Sequence, residues 1–161
     1  MQKIFPCLWF DDKAEEAAKF YVSIFKDSKI SNISKYTEAT EEVSGKPPGS
    51  VMAVEFQIDG QYFMALNGGP EFKFTPAISF VVNCESQKEV DNLWEKLTED
   101  GEEMPCGWLT DKYGVTWQIT PKVLDEMLKD KDPVKAERVM KAMLEMNKID
   151  IEALRKAYNN E

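Results

Sequence analysis

The sequence predicts an α+β fold made of two βαβββ modules followed by helices. Three observations carry that prediction. Apolar residues alternate with period two in short runs and recur at three- and four-residue intervals in longer ones, the signatures of strands and amphipathic helices. The order of these runs repeats: 4–9 and 78–83 read as strands, 12–25 and 86–99 as helices, each pair 74 positions apart, while the closing strands 61–67 and 114–120 lie 53 apart. The difference falls mainly in a long loop of the first half. Finally, 161 residues suffice for one substantial core, since a domain of roughly 150 residues buries about 70% of its unfolded surface.

Residues 3–10, Lys-Ile-Phe-Pro-Cys-Leu-Trp-Phe, are apolar on both alternating faces and read as a strand covered on both sides. Pro6 has no N–H to donate, which places it at an edge or a bulge. Asp12 and Glu15 stand near capping-box spacing, and Ala14, Ala17, Ala18, Tyr21, Ile24 and Phe25 form the stripe of a helix over about 13–25. A polar strand over 29–37 follows. Residues 38–50, rich in Glu, Ser, Gly and Pro, have the composition of a mobile loop. Asp59-Gly60 between Val51–Ile58 and Gln61–Leu66 is a two-residue hairpin signal.

The second module opens with a strand over 77–83, and Ser86-Gln87-Lys88-Glu89 spells a capping box. Val90, Leu93, Trp94 and Leu97 are the apolar stripe of its helix, which ends near Gly101. Short strands at 102–105 and 107–111 lead to a turn at Lys112-Tyr113-Gly114, where Asp111 is expected to accept backbone hydrogen bonds. In the last strand Val115, Trp117 and Ile119 share one face, and Thr116, Gln118 and Thr120 the other. Thr120-Pro121 reads as the N-cap and first position of a short helix to Leu128. Asp132-Pro133 opens another helix with Val134, Val139, Met140, Met143 and Leu144 inward, and Asp150 caps a third carrying Ile151, Leu154 and Tyr158. Met127, Met140, Met143 and Met146 fill core or offer an adaptable contact surface. Residues 1–121 are thus expected to form one domain of two modules, about 2–70 and 76–121, with 122–161 a helical extension packed on it.

With 20 basic and 29 acidic residues the formal charge is −9, which argues against nucleic acid or an anionic membrane surface as partner, because both require a basic footprint. No apolar run approaches the roughly 20 residues of a membrane span, and the first residues do not read as a signal peptide. Cys7, Cys84 and Cys106 are odd in number and widely spaced, as reduced thiols of a cytoplasmic protein would be. There is no histidine. Every catalytic scheme built on an imidazole is therefore excluded, and the commonest transition-metal ligand is missing.

Several stretches together resemble a known family. They are Leu8-Trp9-Phe10-Asp11, Glu16-Ala17-Ala18-Lys19-Phe20-Tyr21, Asp59-Gly60-Gln61, Asn67-Gly68-Gly69-Pro70, Glu89-Val90-Asp91 with Trp94, Cys106-Gly107-Trp108, and Asp111-Lys112-Tyr113-Gly114-Val115-Thr116-Trp117-Gln118-Ile119. In this order they resemble the PhnB-like branch, often labelled a demethylubiquinone methyltransferase domain, of the glyoxalase, bleomycin-resistance and extradiol-dioxygenase (vicinal oxygen chelate) superfamily. The resemblance covers about residues 2–121 and continues into 140–157. It implies two βαβββ modules whose mixed sheet curls around a cavity, usually in a homodimer. Metal-dependent relatives hold a divalent ion through inward His and Glu side chains on the first and last strands of each module. The resemblance places those positions on Pro6 and Phe80, on Met64 or Ala65, and on Gln118. Proline, phenylalanine and methionine cannot fill a hard-cation sphere, and Gln118 alone supplies one neutral oxygen. The inherited metal site is expected to be empty and no cofactor is expected. Nor does a Gly-rich loop of the dinucleotide-binding type follow any strand, so the methyltransferase label gains no support.

Gln118 is the leading ligand-binding candidate, set against a plain solvent-facing strand position. Trp108 could stack on a ligand or simply fill core. Glu55 alternates away from Val54, Phe56 and Ile58, so it is either an exposed side chain or a cavity carboxylate able to act as a base. Met64 and Phe80 join these as cavity-wall positions. Cys106, between Pro105 and Gly107, is an accessible thiol with no histidine to activate it. The expected function is a metal-independent, small-molecule-binding homodimer, with the Met-rich helices as contact elements. The alternative is an enzyme of the same superfamily, of lyase, dioxygenase or transferase type, that uses a cavity carboxylate, a thiol or a non-standard metal site.

Overall fold

The computed structural model describes residues 2–161. Its chain divides into two compact units, one ending at Phe74 and the other beginning at Thr75. In the first, β1 (Cys7–Phe10), α1 (Ala14–Ile24), β2 (Lys29–Lys35), α2 (Glu38–Ser44), β3 (Val51–Ile58) and β4 (Gln61–Asn67) follow in order, and the sheet runs β1-β4-β3-β2. In the second, β5 (Phe80–Cys84), α3 (Gln87–Thr98), β6 (Glu102–Glu103), β7 (Trp108–Thr110) and β8 (Thr116–Pro121) form a sheet ordered β5-β8-β7-β6. The helices α4 (Lys122–Leu128), α5 (Pro133–Leu144) and α6 (Ile151–Asn159) complete it. In both units the first strand pairs parallel with the last and the other pairings are antiparallel. The α+β fold of two βαβββ units with C-terminal helices is therefore found, with one helix inserted in the first unit.

In the first unit the alternation predicted from sequence sorts the sheet. Leu8, Phe10, Val54, Phe56, Ile58, Phe63 and Ala65 are buried with Ala14, Ala17, Ala18 and Tyr21 of α1, while Glu55, Gln57, Tyr62 and Met64 on the opposite face stay half-exposed. The rings of Tyr21 and Phe56 stack at 6.4 Å, and those of Phe56 and Phe63 at 5.5 Å. Asp59 and Gly60 both take positive φ, 48° and 73°, the conformation that the tight hairpin turn demands. The first strand is shorter than 3–10 because Pro6 stands just ahead of β1, where its carbonyl accepts a hydrogen bond from the Met64 N–H at 3.0 Å.

Two local expectations of this unit are corrected. Asp12 does not cap α1; Lys13 is the N-cap and gives no side-chain bond, and the Ala14 N–H is taken by Asn67 Oδ1 at 2.8 Å. A residue of β4 therefore does what a local cap would do. The expected loop at 38–50 contains α2, at whose start the Thr37 N–H donates to Thr40 Oγ1 at 2.9 Å and whose end is turned by Gly45 at φ 65°. No residue of α2 is buried, so it has no apolar stripe for periodicity to detect.

In the second unit Val90, Leu93, Trp94 and Leu97 of α3 are all buried, as are Leu109, Trp117 and Ile119 of the sheet. The capping box is offset by one residue: Ser86 Oγ accepts from the Glu89 N–H at 3.3 Å, but the Glu89 carboxylate bonds the N–H of Glu85 at 2.7 Å. Pro121 ends β8 and is itself the N-cap of α4, without a side-chain bond, so the predicted Thr120 cap does not form. Asp132 and Asp150 do cap, accepting from Val134 and Ala153 at 2.9 and 3.0 Å.

The C-terminal helices pack around Leu124, Met127, Val139, Ile149 and Leu154, with Met143, Met146 and Tyr158 against them. Val134, Met140 and Leu144, expected inward, are exposed; Val139 alone of α5 is buried, so its buried stripe is narrower than its apolar content suggested. Gln87 ties this layer to α3. Its Nε2 donates to Asp91 Oδ1 and to the Ile149 carbonyl at 2.9 and 3.0 Å, and its Oε1 accepts from the Ile151 N–H at 2.8 Å. Gln87→Leu leaves the backbone groups at 149 and 151 without that partner and should cost about 2 kcal/mol. Hydrogen exchange is the direct check: protection should fall over 149–159 and hold in α3. No helix of the described residues is long and apolar enough to cross a membrane.

Candidate functional site

The polar face of β8 acquires its surroundings from both neighbours in the sheet. Trp108 of β7 and Val81 of β5 lie directly across from Gln118, and residues in register project to the same face. Gln118 Nε2 donates to Ser79 Oγ at 2.9 Å. The approach to Trp108 is fixed by a 3-10 turn at Pro105–Gly107, in which Cys106 takes φ 62°. The N–H groups of Cys106 and Gly107 donate to the carbonyls of Met146 and Asn147 at 2.8 and 2.7 Å. Gly107 is required here: at φ 81° a Cβ would stand 2.9 Å from the Ile119 carbonyl oxygen and 3.1 Å from Ile149 Cγ1.

These constraints leave a cleft of about 210 Å³ lined by Cys106, Trp108, Gln118, Thr120, Leu124, Asp125, Leu128 and Met143. Trp108 and Gln118 are thus brought together, with Cys106 beside them. Thr120 comes from the alternation already legible in β8. Leu124 and Leu128 are one turn apart on α4, with Asp125 next to Leu124, and Met143 comes from α5. No motif marks these helical residues; they reach the cleft through packing.

The remaining candidates lie elsewhere. Glu55 and Met64 are cross-strand partners on the half-exposed face of the first unit's sheet, and Cys7 is Met64's other partner. Met64 therefore holds in its unit the sheet position that Gln118 holds in the second. Phe80 pairs with Trp117 instead, their rings 5.4 Å apart. It belongs to the face opposite Gln118, and the position beside Gln118 is Val81. A hollow of about 350 Å³ in the first unit is lined by Asp11, Asp12, Glu15, Lys46, Pro47, Ser50, Val51 and Asn67. Lys46 already pairs with Asp11 at 3.8 Å, and the Asn67 amide is bonded to backbone at both ends.

The donor set does not suit a metal ion. Around Met64 stand one thiol and one carboxylate two strands apart, and around Gln118 a valine and a tryptophan. Among the described residues no three His, Cys, Asp or Glu side chains are gathered so that they could hold one. Cys84 is a poor nucleophile: burial, aided by Glu89 and Glu85, pushes its thiol up to about 12. Two residues from Gln118, Thr116 is 1% exposed and its hydroxyl is the one buried side-chain polar atom of the described residues without a hydrogen-bond partner.

The sequence model of the family described as 3-demethylubiquinone-9 3-methyltransferase matches residues 2–120. The chain belongs to that family. Among solved structures, this family member is similar to a protein from Bacillus cereus described as a putative 3-demethylubiquinone-9 3-methyltransferase, PhnB protein, at 40% identity and TM-score 0.66, over 74% of this chain and 99% of that one. It shares its fold with protein PA1353 from Pseudomonas aeruginosa, at 20% identity and TM-score 0.59, over 75% and 98% of the two chains. It also shares its fold with the fosfomycin resistance protein FosX from Listeria monocytogenes, at 16% identity and TM-score 0.52, over 80% and 100%. Among curated protein sequences none matches. The PhnB-like family and the glyoxalase/bleomycin-resistance fold expected from the resemblance are both found.

Proposed function

We propose that this chain is a cytoplasmic, metal-independent binder of a small, largely apolar molecule, working as a homodimer, with its ligand in the cleft of the second unit. The observation that carries this reading is the pairing of Trp108 with Gln118 at the cleft. An indole and leucine and methionine side chains supply apolar contact there, and a few polar groups supply orientation, the usual make-up of a small-molecule site.

The family's description names a methyl transfer, but the loops that lead from β1 into α1 and from β5 into α3 are Asp11-Asp12-Lys13 and Glu85-Ser86, without the glycines with which a dinucleotide-binding strand-to-helix turn begins. An enzymatic reading would rest on Cys106. The cleft sets no lysine beside its thiol and the chain has no histidine, so the partner base that nucleophilic chemistry uses is missing there.

A thermal-shift screen of small apolar compounds tests the reading, because a ligand selective for the native state must raise stability. Compounds that stabilise the wild type should lose most of that effect with Gln118→Leu. If the variant responds like the wild type, the ligand lies elsewhere. Light scattering checks the assembly, which should have twice the 18.5 kDa of one chain.

A further inference from the structure

We infer that the C-terminal helices, which lie beyond the family's match, are the specificity-determining wall of the cleft and limit the apolar body of its ligand to a single ring; this rests on the binding function proposed above and names what sets its selectivity. The match to the family ends at residue 120, and the cleft straddles that boundary. Trp108, Gln118 and Thr120 come from the matched sheet, whereas Leu124 and Leu128 of α4 and Met143 of α5 come from the added helices. The two sides differ in chemistry. The sheet side offers an indole, an amide and a hydroxyl. The helical side is apolar but for Asp125, which is held by Lys129 at 2.6 Å. A molecule with a polar end and an apolar body satisfies both sides in one orientation, its polar end toward β8 and its body against the helices.

That wall is fastened to the sheet. The N–H groups of Cys106 and Gly107, in the turn before Trp108, donate to the carbonyls of Met146 and Asn147, just past the end of α5, and Gln87 holds the backbone at Ile149 and Ile151. Leu124 is 3% exposed in the core of the helical layer, and Leu128 and Met143 pack against that core while lining the cleft. Moving the wall outward would break these backbone bonds, so the room beside Trp108 is set by the side chains at 128 and 143. At about 210 Å³ it equals about seven waters at roughly 30 Å³ each, which a single ring with a short polar arm fills. A second fused ring needs the space that Leu128 and Met143 hold. Truncating either residue opens the wall and leaves Trp108, Gln118 and Thr120 in place.

Benzyl alcohol and naphthylmethanol share a head group and differ by a ring. Each is titrated into the full chain and followed at two places, the indole N–H resonance of Trp108 and the side-chain methyl resonance of Met143, assigned with Trp108→Phe and Met143→Leu. Benzyl alcohol should move both resonances. Burying the second ring would by itself tighten binding about tenfold, yet the wild type should bind naphthylmethanol no more tightly than benzyl alcohol. Met143→Ala and, independently, Leu128→Ala should shift the ratio about tenfold toward the larger compound, whereas a variant that had only lost stability would weaken both compounds and leave their ratio as it was. An unchanged ratio in both variants, or a Trp108 resonance that moves while that of Met143 stays still, would overturn the helices as the selecting wall and leave the cleft as a binding site. Failure of both compounds to move the Trp108 resonance would overturn the binding site itself.

Discussion

Asn67→Leu should lower the unfolding free energy by about 4 kcal/mol, from ~1–3 kcal/mol for each of two backbone groups, one buried and one partly buried, left without a partner. Asn67 is 7% exposed at the end of β4. Its Oδ1 takes the first N–H of α1, on Ala14, and its Nδ2 donates to the Val51 carbonyl at 3.1 Å. One amide thus closes a helix end and ties β3 to β4, and leucine, of similar size, does neither. Asn67→Asp is the informative control. It keeps an acceptor for Ala14, where the helix N-terminus favours negative charge, but it sets an oxygen against the Val51 carbonyl. Urea titrations followed by circular dichroism should rank stability as wild type, then aspartate, then leucine. Equal losses for the two variants would show that the cap on α1 contributes nothing.

Asp111→Ala should be comparably costly, at about 3–5 kcal/mol, since hydrogen bonds to a charged acceptor contribute ~1.5–3 kcal/mol each and water replaces part of what is lost in the turn. Asp111 is 3% exposed. Its Oδ1 accepts from the N–H groups of Tyr113 and Val115 at 2.9 and 3.1 Å, and its Oδ2 from Trp117 Nε1 at 2.9 Å. The turn and the indole behind β8 are therefore held by one carboxylate. Because Trp117 backs the strand whose other face carries Gln118, the same loss should loosen the cleft floor. A double-mutant cycle with Trp117→Phe isolates that bond. The two changes should be sub-additive by about 1–2 kcal/mol, and strict additivity would remove the Asp111–Trp117 bond from the account.

Asp111 also shows how far the sequence could be read. Its place before Lys112-Tyr113-Gly114 was enough to predict a turn residue accepting backbone bonds, because that chemistry is local. The bond to Trp117 depends on the turn bringing the indole back over the carboxylate, which no spacing rule specifies. The cleft divides similarly. Alternation in β8 placed Gln118 and Thr120 on one face, and Trp108 was legible as an aromatic at a strand start. Leu124, Asp125, Leu128 and Met143 join only once α4 and α5 have docked. Phe80 was misplaced by counting from Pro6. A strand's side chains alternate faces, so an error of one residue exchanges Val81 for Phe80 and turns the candidate to the opposite side. The helix α2 escaped prediction for the opposite reason: with no residue buried, it has no apolar stripe that periodicity could register.

The strand β2 bears on how copies of this chain can meet. It lies at the edge of its sheet, begins and ends in lysine, and breaks register with β3 at two places, between Ile30 and Asn32 and between Ser34 and Lys35. A straight apolar edge would be a template on which another chain's strand could add, the first step of sheet-to-sheet aggregation. Kinks and terminal charges deny that template an even row of partners. At this edge the ribbon does not continue outward, so a contact between copies across β2 would be made by packed side chains and not by added strands.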